Sequence, residues 1–434
     1  MKKKILTGFY VTIFVFITLA GVSKLTQLNL FNAFDAISQA LAEFELTDYV
    51  FSKFRPEPQL EDRIVLVNIG PNRRAIAEQI RIVSQYNPRV IGIDSFFNCE
   101  GNLYDTLNCP QLLDTLGNLI LSYAIQEAGN VVLVSRLLQS DSLFRIEAVD
   151  AWDSIEYSDP MFSDHARNAY ANLVSDAANQ EDIKICRTFI PRVKVNGEIQ
   201  NSFAVEVCKM YDSTLTQEFL ERGNFEEVVN YRGNASPPSQ KASRVNLQEA
   251  NTSDLRLLCF AIDWQKLFEG EYVPDMFEDK IVLFGYMGEF IGDPNWAEDK
   301  WFTPLNTKVA GRANPDMFGL VVHANIIAMI LNADYVDQLA EWQKFTIAFV
   351  VCFFNVLLFN WIDRRFPVWF DGFSAILQIA EIVIVMSLVV MVFAYFQIKM
   401  DLTLTIGILA LVGPCFDIMK SVENTFRRVL PLEH

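Results

Sequence analysis

The chain has 434 residues, 51% of them hydrophobic and 13% aromatic, with 53 Asp/Glu against 36 Lys/Arg and a formal net charge of -17. That composition excludes a disordered chain and a small disulfide scaffold, and describes globular mass combined with membrane. The acidity sits in one block, since residues 23–344 hold 27 Lys/Arg against 46 Asp/Glu; such a surface repels phosphate backbones and argues against a nucleic-acid partner.

Lys2, Lys3 and Lys4 lead into an uncharged run over residues 5–22, long enough to cross a bilayer or nearly so. A cleaved signal peptide has a shorter apolar core that ends at small residues of A-x-A type. Leu19-Ala20-Gly21-Val22 fits that pattern poorly, so residues 1–22 are expected to be an uncleaved anchor. Residues 63–69 form a short apolar run closed by Gly70-Pro71 and predict a strand, while residues 73–86 carry Ile76, Ile80 and Val83 at helical spacing. Residues 89–94 predict the next strand, 112–128 the next helix and 130–135 a third strand. The resulting β-α-β-α-β order implies an α/β domain with a parallel or mixed sheet covered by helices. Further strands are expected at 183–189 and 280–284. The Ser-, Asp-, Asn- and Pro-rich stretches 143–182 and 233–252 are expected to decorate the sheet edge.

Five cysteines lie in this block. Cys99 and Cys109 flank a polar loop that an oxidising compartment would allow them to bridge, whereas Cys186, Cys208 and Cys259 sit in apolar contexts typical of small buried hydrophobes. No C-x-x-C spacing supports zinc or thioredoxin chemistry.

After Glu341-Trp342, residues 345–361 are uncharged, 373–396 are interrupted only by Glu381, and 402–416 are uncharged but short. Lys/Arg in short connectors mark the cytoplasmic side. The leading lysines, Arg364-Arg365, and Lys420 with Arg427 and Arg428 agree only if the chain makes four crossings with both termini inside. The expected organisation is an anchor at 1–22, an extracytoplasmic domain at 23–341, three transmembrane helices within 342–418 and a cytoplasmic tail at 419–434. A re-entrant fourth run would instead put the tail outside. Glu381 lies about 12 Å into its span, with Gln378 on the same helical face. An ionisable group at that depth faces protein or water rather than lipid, serving either a partner or proton-coupled element or an internal bond to Asn355 or Asn360.

Several phrases resemble the CHASE family of extracellular sensor domains, in its second type: Arg63-Ile-Val-Leu-Val-Asn-Ile69, Val90-Ile-Gly-Ile-Asp94, Gly129-Asn-Val-Val-Leu133, Asn230-Tyr-Arg-Gly233, Phe277-Glu-Asp-Lys-Ile-Val-Leu-Phe-Gly285, Asp299-Lys-Trp-Phe-Thr-Pro304 and Gly319-Leu-Val-Val-His-Ala-Asn325. The last three are the specific ones. The resemblance covers about residues 45–335 and implies an exported sensor between one N-terminal and several C-terminal membrane helices. Resembling proteins often carry acidic residues where this chain has Asn68 and Gly70. They also commonly continue into a cyclase, kinase or phosphodiesterase module, which is expected to be lacking here.

Carboxyl ends of parallel strands are where open α/β sheets place ligands, which makes Asp94 a candidate. Asp293, Asp299, His323 and Asn325 follow later apolar elements and could share its rim, against the alternative that His323 and Asn325 satisfy buried backbone. Arg232 could bind an anion or form a strand-end salt bridge. No G-x-S-x-G, H-E-x-x-H or calcium-loop pattern occurs, and the three histidines are dispersed, so neither enzyme activity, a metal nor a cofactor is expected. The expected role is a multi-pass sensory or regulatory subunit of the bacterial cytoplasmic membrane, its main domain periplasmic, acting on a separate protein. The alternative is a structural or docking subunit of an envelope complex. The expected partners are the bilayer and a membrane or envelope protein, with homo-oligomerisation left open.

Overall fold

The computed structural model describes residues 2–26, 46–54, 59–98, 114–140, 152–173, 185–236, 257–291, 299–306 and 315–429. Cys99, Cys109 and Asp293 lie outside them. The chain opens on α1 (Lys2–Thr26) and α2 (Leu46–Lys53), and its fold divides into two units, residues 51–336 and residues 1–50 with 337–434.

In the unit spanning 51–336, β1 (Ile64–Asn68) is buried at all five positions, as a parallel strand covered on both faces must be. The chain turns into α3 (Arg73–Ser84), whose first turn is capped by Asn72 Oδ1 accepting the Ala75 N–H at 2.9 Å. Its buried stripe is Ile76, Ala77, Ile80 and Val83. After β2 (Val90–Asp94) comes α4 (Thr115–Ala128), capped by Asp114 and ended by Gly129 in the left-handed conformation at φ 67°. Next come β3 (Val131–Leu138), β4 (Ser154–Glu156), α5 (Pro160–Ser163) and β5 (Arg167–Tyr170).

The expected strand at 183–189 is present in part, and outside the main sheet. Among the described residues 185–189, an isolated bridge joins Ile185 to Phe302, and β6 (Thr188–Phe189) pairs with β9 (Glu227–Val228) outside the main sheet. The polar, charged stretch around Lys184 and Arg187 lacks the continuous apolar character that a strand covered on both faces requires. Between them lie the hairpin β7 (Arg192–Val195) and β8 (Glu198–Asn201), then α6 (Phe203–Tyr211) and α7 (Ser213–Glu221). β10 (Asn234–Ser236), β11 (Leu257–Ile262), α8 (Trp264–Glu269) and β12 (Ile281–Gly285) follow. β13 (Lys300–Trp301) and β14 (Met317–Phe318) form a small ribbon ahead of α9 (Gly319–Leu331).

The main sheet runs β10-β11-β1-β12-β2-β3, with β4 and β5 both on β3. Every pair is parallel except β3 with β4. The chain first moves outward from β1 to β2, β3 and β5, then returns to the opposite edge and drops β12 between β1 and β2. The expected edge decoration is present where described: β4 and β5 close one end of the sheet and β10 the other.

One face packs on α3, α4 and α8 through Val65, Val67, Ile91, Ile93, Val282 and Phe284. The other is covered by α6 and α9. Gly92 makes that cover possible, because a β-carbon there would lie 2.7 Å from Leu283 Cδ2 and 2.9 Å from Phe203 Cζ. Every residue of α9 is buried, which explains why its sequence is apolar all round. Cys186, Cys208 and Cys259 are buried.

The other unit holds α1, α10 (Glu341–Arg365), α11 (Phe370–Phe396) and α12 (Thr403–Val429), with a short parallel pairing of β15 (Asp337–Gln338) and β16 (Ile398–Lys399). Three of these helices are long and apolar enough to cross a membrane, over Glu341–Arg365, Gly372–Phe396 and Thr403–Val422. The last expected span was drawn short at Asp417. The helix runs through it to Val429 with Pro414 inside, because a charge that ends a hydropathy window does not end an α-helix. In α1 the apolar stretch is the shorter Gly8–Gly21. Val11, Val15, Ala348, Cys352, Val356, Phe359, Ile408, Val412 and Phe416 form the centre of this unit.

Helix directions follow from side-chain neighbours. Gly8 lies against Leu357 and Phe353, while Phe16 meets Phe345 at 5.1 Å between ring centroids, so α1 runs opposite to α10. Lys420 pairs with Asp363, whereas Lys344 lies 3.7 Å from Asp401, so α12 runs alongside α10.

Candidate functional site

The ends of the three central strands align. Asn68 pairs in register with Gly285, and Gly285 with Asp94. These are carboxyl ends at the point where strand order reverses, the crevice in which open α/β sheets hold ligands. Asp94 shares the sheet face of Gly92, two residues earlier, the face that meets Phe203 and Val207 of α6. At Gly285 the missing side chain admits Leu320 of α9, which lies 2.8 Å from where a β-carbon would sit.

Asn68 and Asp94 differ in what they bond. Asn68 is buried and saturated: its amide donates to Asp263 Oδ1 and to the Gly288 carbonyl at 3.0 Å each, and its Oδ1 accepts the Met287 N–H at 2.9 Å. Gln79 braces the same corner, donating to the Asn68 carbonyl at 3.0 Å and accepting from Gly70 N–H at 2.8 Å. The Asp94 carboxyl makes no hydrogen bond or ion pair among the described residues, and burial pushes it up to about 7.

Around the amino end of α9, Asp299 is exposed in the left-handed conformation (φ 54°). Its carbonyl accepts the Gly319 N–H at 3.1 Å, and its carboxylate lies 3.6–3.7 Å from where a Gly319 β-carbon would be. That is where a negative charge complements a helix dipole. One turn further, His323 is 3% exposed, with its ring edge-on to Phe203 at 5.2 Å. Burial pushes it down to about 4 against a smaller opposing pull from the Ala171 carbonyl, so the imidazole is neutral. Its Nδ1 is buried without a hydrogen-bond partner among the described residues.

Asn325 and Arg232 meet directly, in a structural knot. Asn325 Oδ1 accepts from the backbone N–H of Arg232 at 2.8 Å and of Gly233 at 3.3 Å, and Nδ2 donates to the Gly233 and Val321 carbonyls at 2.9 Å each. The Arg232 guanidinium is spent on Asp334, at 2.5 and 3.1 Å.

Sequence reasoning passed over Asp316. This aspartate is 2% exposed and accepts from Thr303 N–H at 2.9 Å, Thr303 Oγ1 at 2.6 Å and Asn306 Nδ2 at 3.3 Å. Burial pushes it up to about 7 against the pull of those donors. It fixes the Thr303-Pro304 turn that follows β13, between the two strands of the ribbon leading to α9. The signal available in the sequence was a Pro315-Asp316 pair just ahead of an apolar helix.

In the membrane unit, Glu381 accepts from Asn355 Nδ2. Gln378 Nε2 donates to the Leu409 carbonyl at 2.8 Å. Among the described residues, no group of three or more His, Cys, Asp or Glu could hold a metal ion.

The fold and the rim together define a membrane-attached α/β domain, its sheet ending in a row of Asn68, Gly285 and Asp94. The chain belongs to the CHASE2 domain family, a family of extracellular sensory domains, whose profile matches residues 12–359. No curated protein and no solved structure matches it.

Proposed function

We propose that the protein is a membrane-anchored sensory or regulatory subunit whose α/β unit binds a ligand at the Asn68–Gly285–Asp94 row and passes the change through its helices to an effector protein. The observation that carries this reading is Asp94, at the end of a central parallel strand, whose carboxyl has no partner among the described residues. A carboxyl in that position is matched by a ligand that brings donors or positive charge, most simply a cationic amine. The role is non-catalytic and needs no cofactor.

The proposed placement is a bacterial cytoplasmic membrane crossed four times, with the α/β unit outside. The helix directions support it, because the Lys2 end of α1, Arg364-Arg365 of α10 and Lys420 of α12 all fall at one end of the bundle, as the excess of positive charge on the cytoplasmic side requires. Impermeant labelling, from outside intact cells, of a cysteine introduced beside Arg428 refutes that placement.

The binding test is a thermal-shift screen of the purified full chain at pH 8 against amines, polyamines and amino acids. A ligand that binds only the folded state raises Tm. Stabilisation of the wild type that is lost in Asp94→Asn supports the reading. Equal stabilisation of both proteins, or no shift across the panel, overturns it.

A docking role is the second reading, and one observation favours it. Leu116, Leu119, Ile120 and Tyr123 of α4 are 54%, 59%, 42% and 63% exposed, and their i, i+3, i+4, i+7 spacing is that of an apolar helix face. A docking subunit would co-purify with an envelope protein in fixed stoichiometry and lose it on Leu119→Asp.

A further inference from the structure

Pro414 sits inside α12 and carries no N–H, so the carbonyl four residues earlier, that of Ala410, lacks its helical donor. In a lipid environment a backbone carbonyl left so must be satisfied by a neighbour. The neighbour is Gln378 of α11, whose Nε2 lies 2.8 Å from the Leu409 carbonyl and 3.4 Å from that of Ala410. Gly413 admits it, since a β-carbon there would stand 2.8 Å from Gln378 Oε1 and 3.0 Å from Nε2. Three positions along the same face of α11, Glu381 accepts from Asn355 of α10. Two consecutive side chains on one face thus fasten α11 to two different helices.

The carboxyl end of α11 is held differently. The Gln397 carbonyl accepts the Asp337 N–H at 3.0 Å, and the Leu339 N–H donates to the Lys399 carbonyl at 3.4 Å. Residues 337 and 338 are the first of the membrane unit after the α/β unit ends at 336, and they pair with Ile398 and Lys399. The strand that leaves the α/β unit is therefore bonded to α11 before it continues into α10.

We infer that α11 is a clamped lever: Gln378, seated in the notch made by Gly413 and Pro414, and Glu381 hold it in the bundle, while its carboxyl end is coupled to the strand arriving from the α/β unit. The lever deepens the sensory reading and depends on it only for what is transmitted. A failed ligand screen removes the sensor and leaves the clamp, whereas failure of the experiment below removes the clamp and leaves the sensor.

The experiment is a double-mutant cycle on the full chain in lipid nanodiscs with wild type, Gln378→Leu, Pro414→Ala and the double variant, read by Tm and by amide hydrogen exchange. Gln378→Leu is expected to lower Tm by several degrees and speed exchange across α11 about fivefold, the loss of one interhelical hydrogen bond. Pro414→Ala restores a helical N–H for Ala410, so in that background Gln378→Leu should have less than half the effect. Equal effects in both backgrounds overturn the clamp. If Gln378→Leu alone does not fold, rescue by Pro414→Ala is the expected result, and failure of rescue overturns the proposal. For the lever, Asp337→Pro removes the donor to Gln397 and should speed exchange along α11. A change confined to residues 337–340, or none, overturns that coupling.

Discussion

Replacing Asp94 with Asn tests whether the strand-end carboxyl is as isolated as its surroundings imply. Burial raises its pKa from 3.8 to about 7, and each unit corresponds to about 1.4 kcal/mol, which puts the full penalty near pH 8 at about 4 kcal/mol. Asp94 keeps partial solvent contact, and screening lowers the figure to about 2 kcal/mol. Because the folded-state pKa is the higher one, stability is greatest below the pH at which an unfolded aspartate ionises, and it declines as pH rises from about 4 through 7. Asparagine has nearly the same size and does not titrate. Asp94→Asn should therefore gain on the wild type as pH rises, the Tm difference widening by about 3–5 °C between pH 5 and pH 8. Asp316 titrates in the same window, and comparison with wild type at each pH cancels it. The assay is thermal unfolding of the full chain followed by near-ultraviolet circular dichroism. An equal difference at both pH values, or a variant less stable at pH 8, refutes the reasoning.

His323 contributes an opposite slope. Its folded-state pKa is depressed from 6.5 to about 4, so stability is lost as pH falls through that window, and His323→Leu should flatten the decline in Tm between pH 6.5 and 4.5; an unaltered acid limb refutes this. Gly92→Ala should cost about 1–3 kcal/mol in chemical denaturation, because its methyl would press on Leu283 and on the Phe203 ring; an unchanged midpoint shows that α6 gives way freely. Asn355 Oδ1 is buried without a partner among the described residues. Glu381→Gln supplies an N–H for it while keeping an acceptor for Nδ2, so Tm should hold or rise, whereas Glu381→Leu should lose about 1 kcal/mol; equal tolerance of both assigns the side chain no part in fastening α11.

What the sequence made legible depended on range. β1, α3, β2, α4, β3 and β12 stood out because each is a short apolar run or a periodic stretch bounded by Gly, Pro or charge. The position of β12 between β1 and β2 did not, since the three runs are interchangeable in composition and their order is set by crossovers. α6 was ambiguous because Val205, Val207 and Cys208 suit a strand as well as a helix. Asp94 could be singled out because it closes a strand, a local fact. The saturation of Asn68 by Asp263, Gly288 and Met287 joins residues about 200 apart in sequence and has no local signature. Gln378 was visible, and only the packing of two helices puts its amide where Pro414 has removed one.

In the proposed sensory role, α9 is the element that would carry a change from a ligand at the rim to the end of the α/β unit. Its first turns carry Leu320 against Gly285 and His323 against Phe203, beside the row that ends in Asp94. Its thirteen residues span about 20 Å, and its last turn is gripped on another side. The Leu331 carbonyl accepts from Arg63 at 3.3 Å, Asn332 donates to Glu61 at 2.7 Å, and Asp334 holds Arg232. A helix buried at every position cannot bend into empty space, and close-packed interiors shift as discrete arrangements rather than deform continuously. Under the proposed sensory role, a ligand that displaces the start of α9 would move residues 332–336, which end one residue before Asp337 pairs with Ile398. It can do so only to the extent that it binds the displaced arrangement more tightly than the resting one.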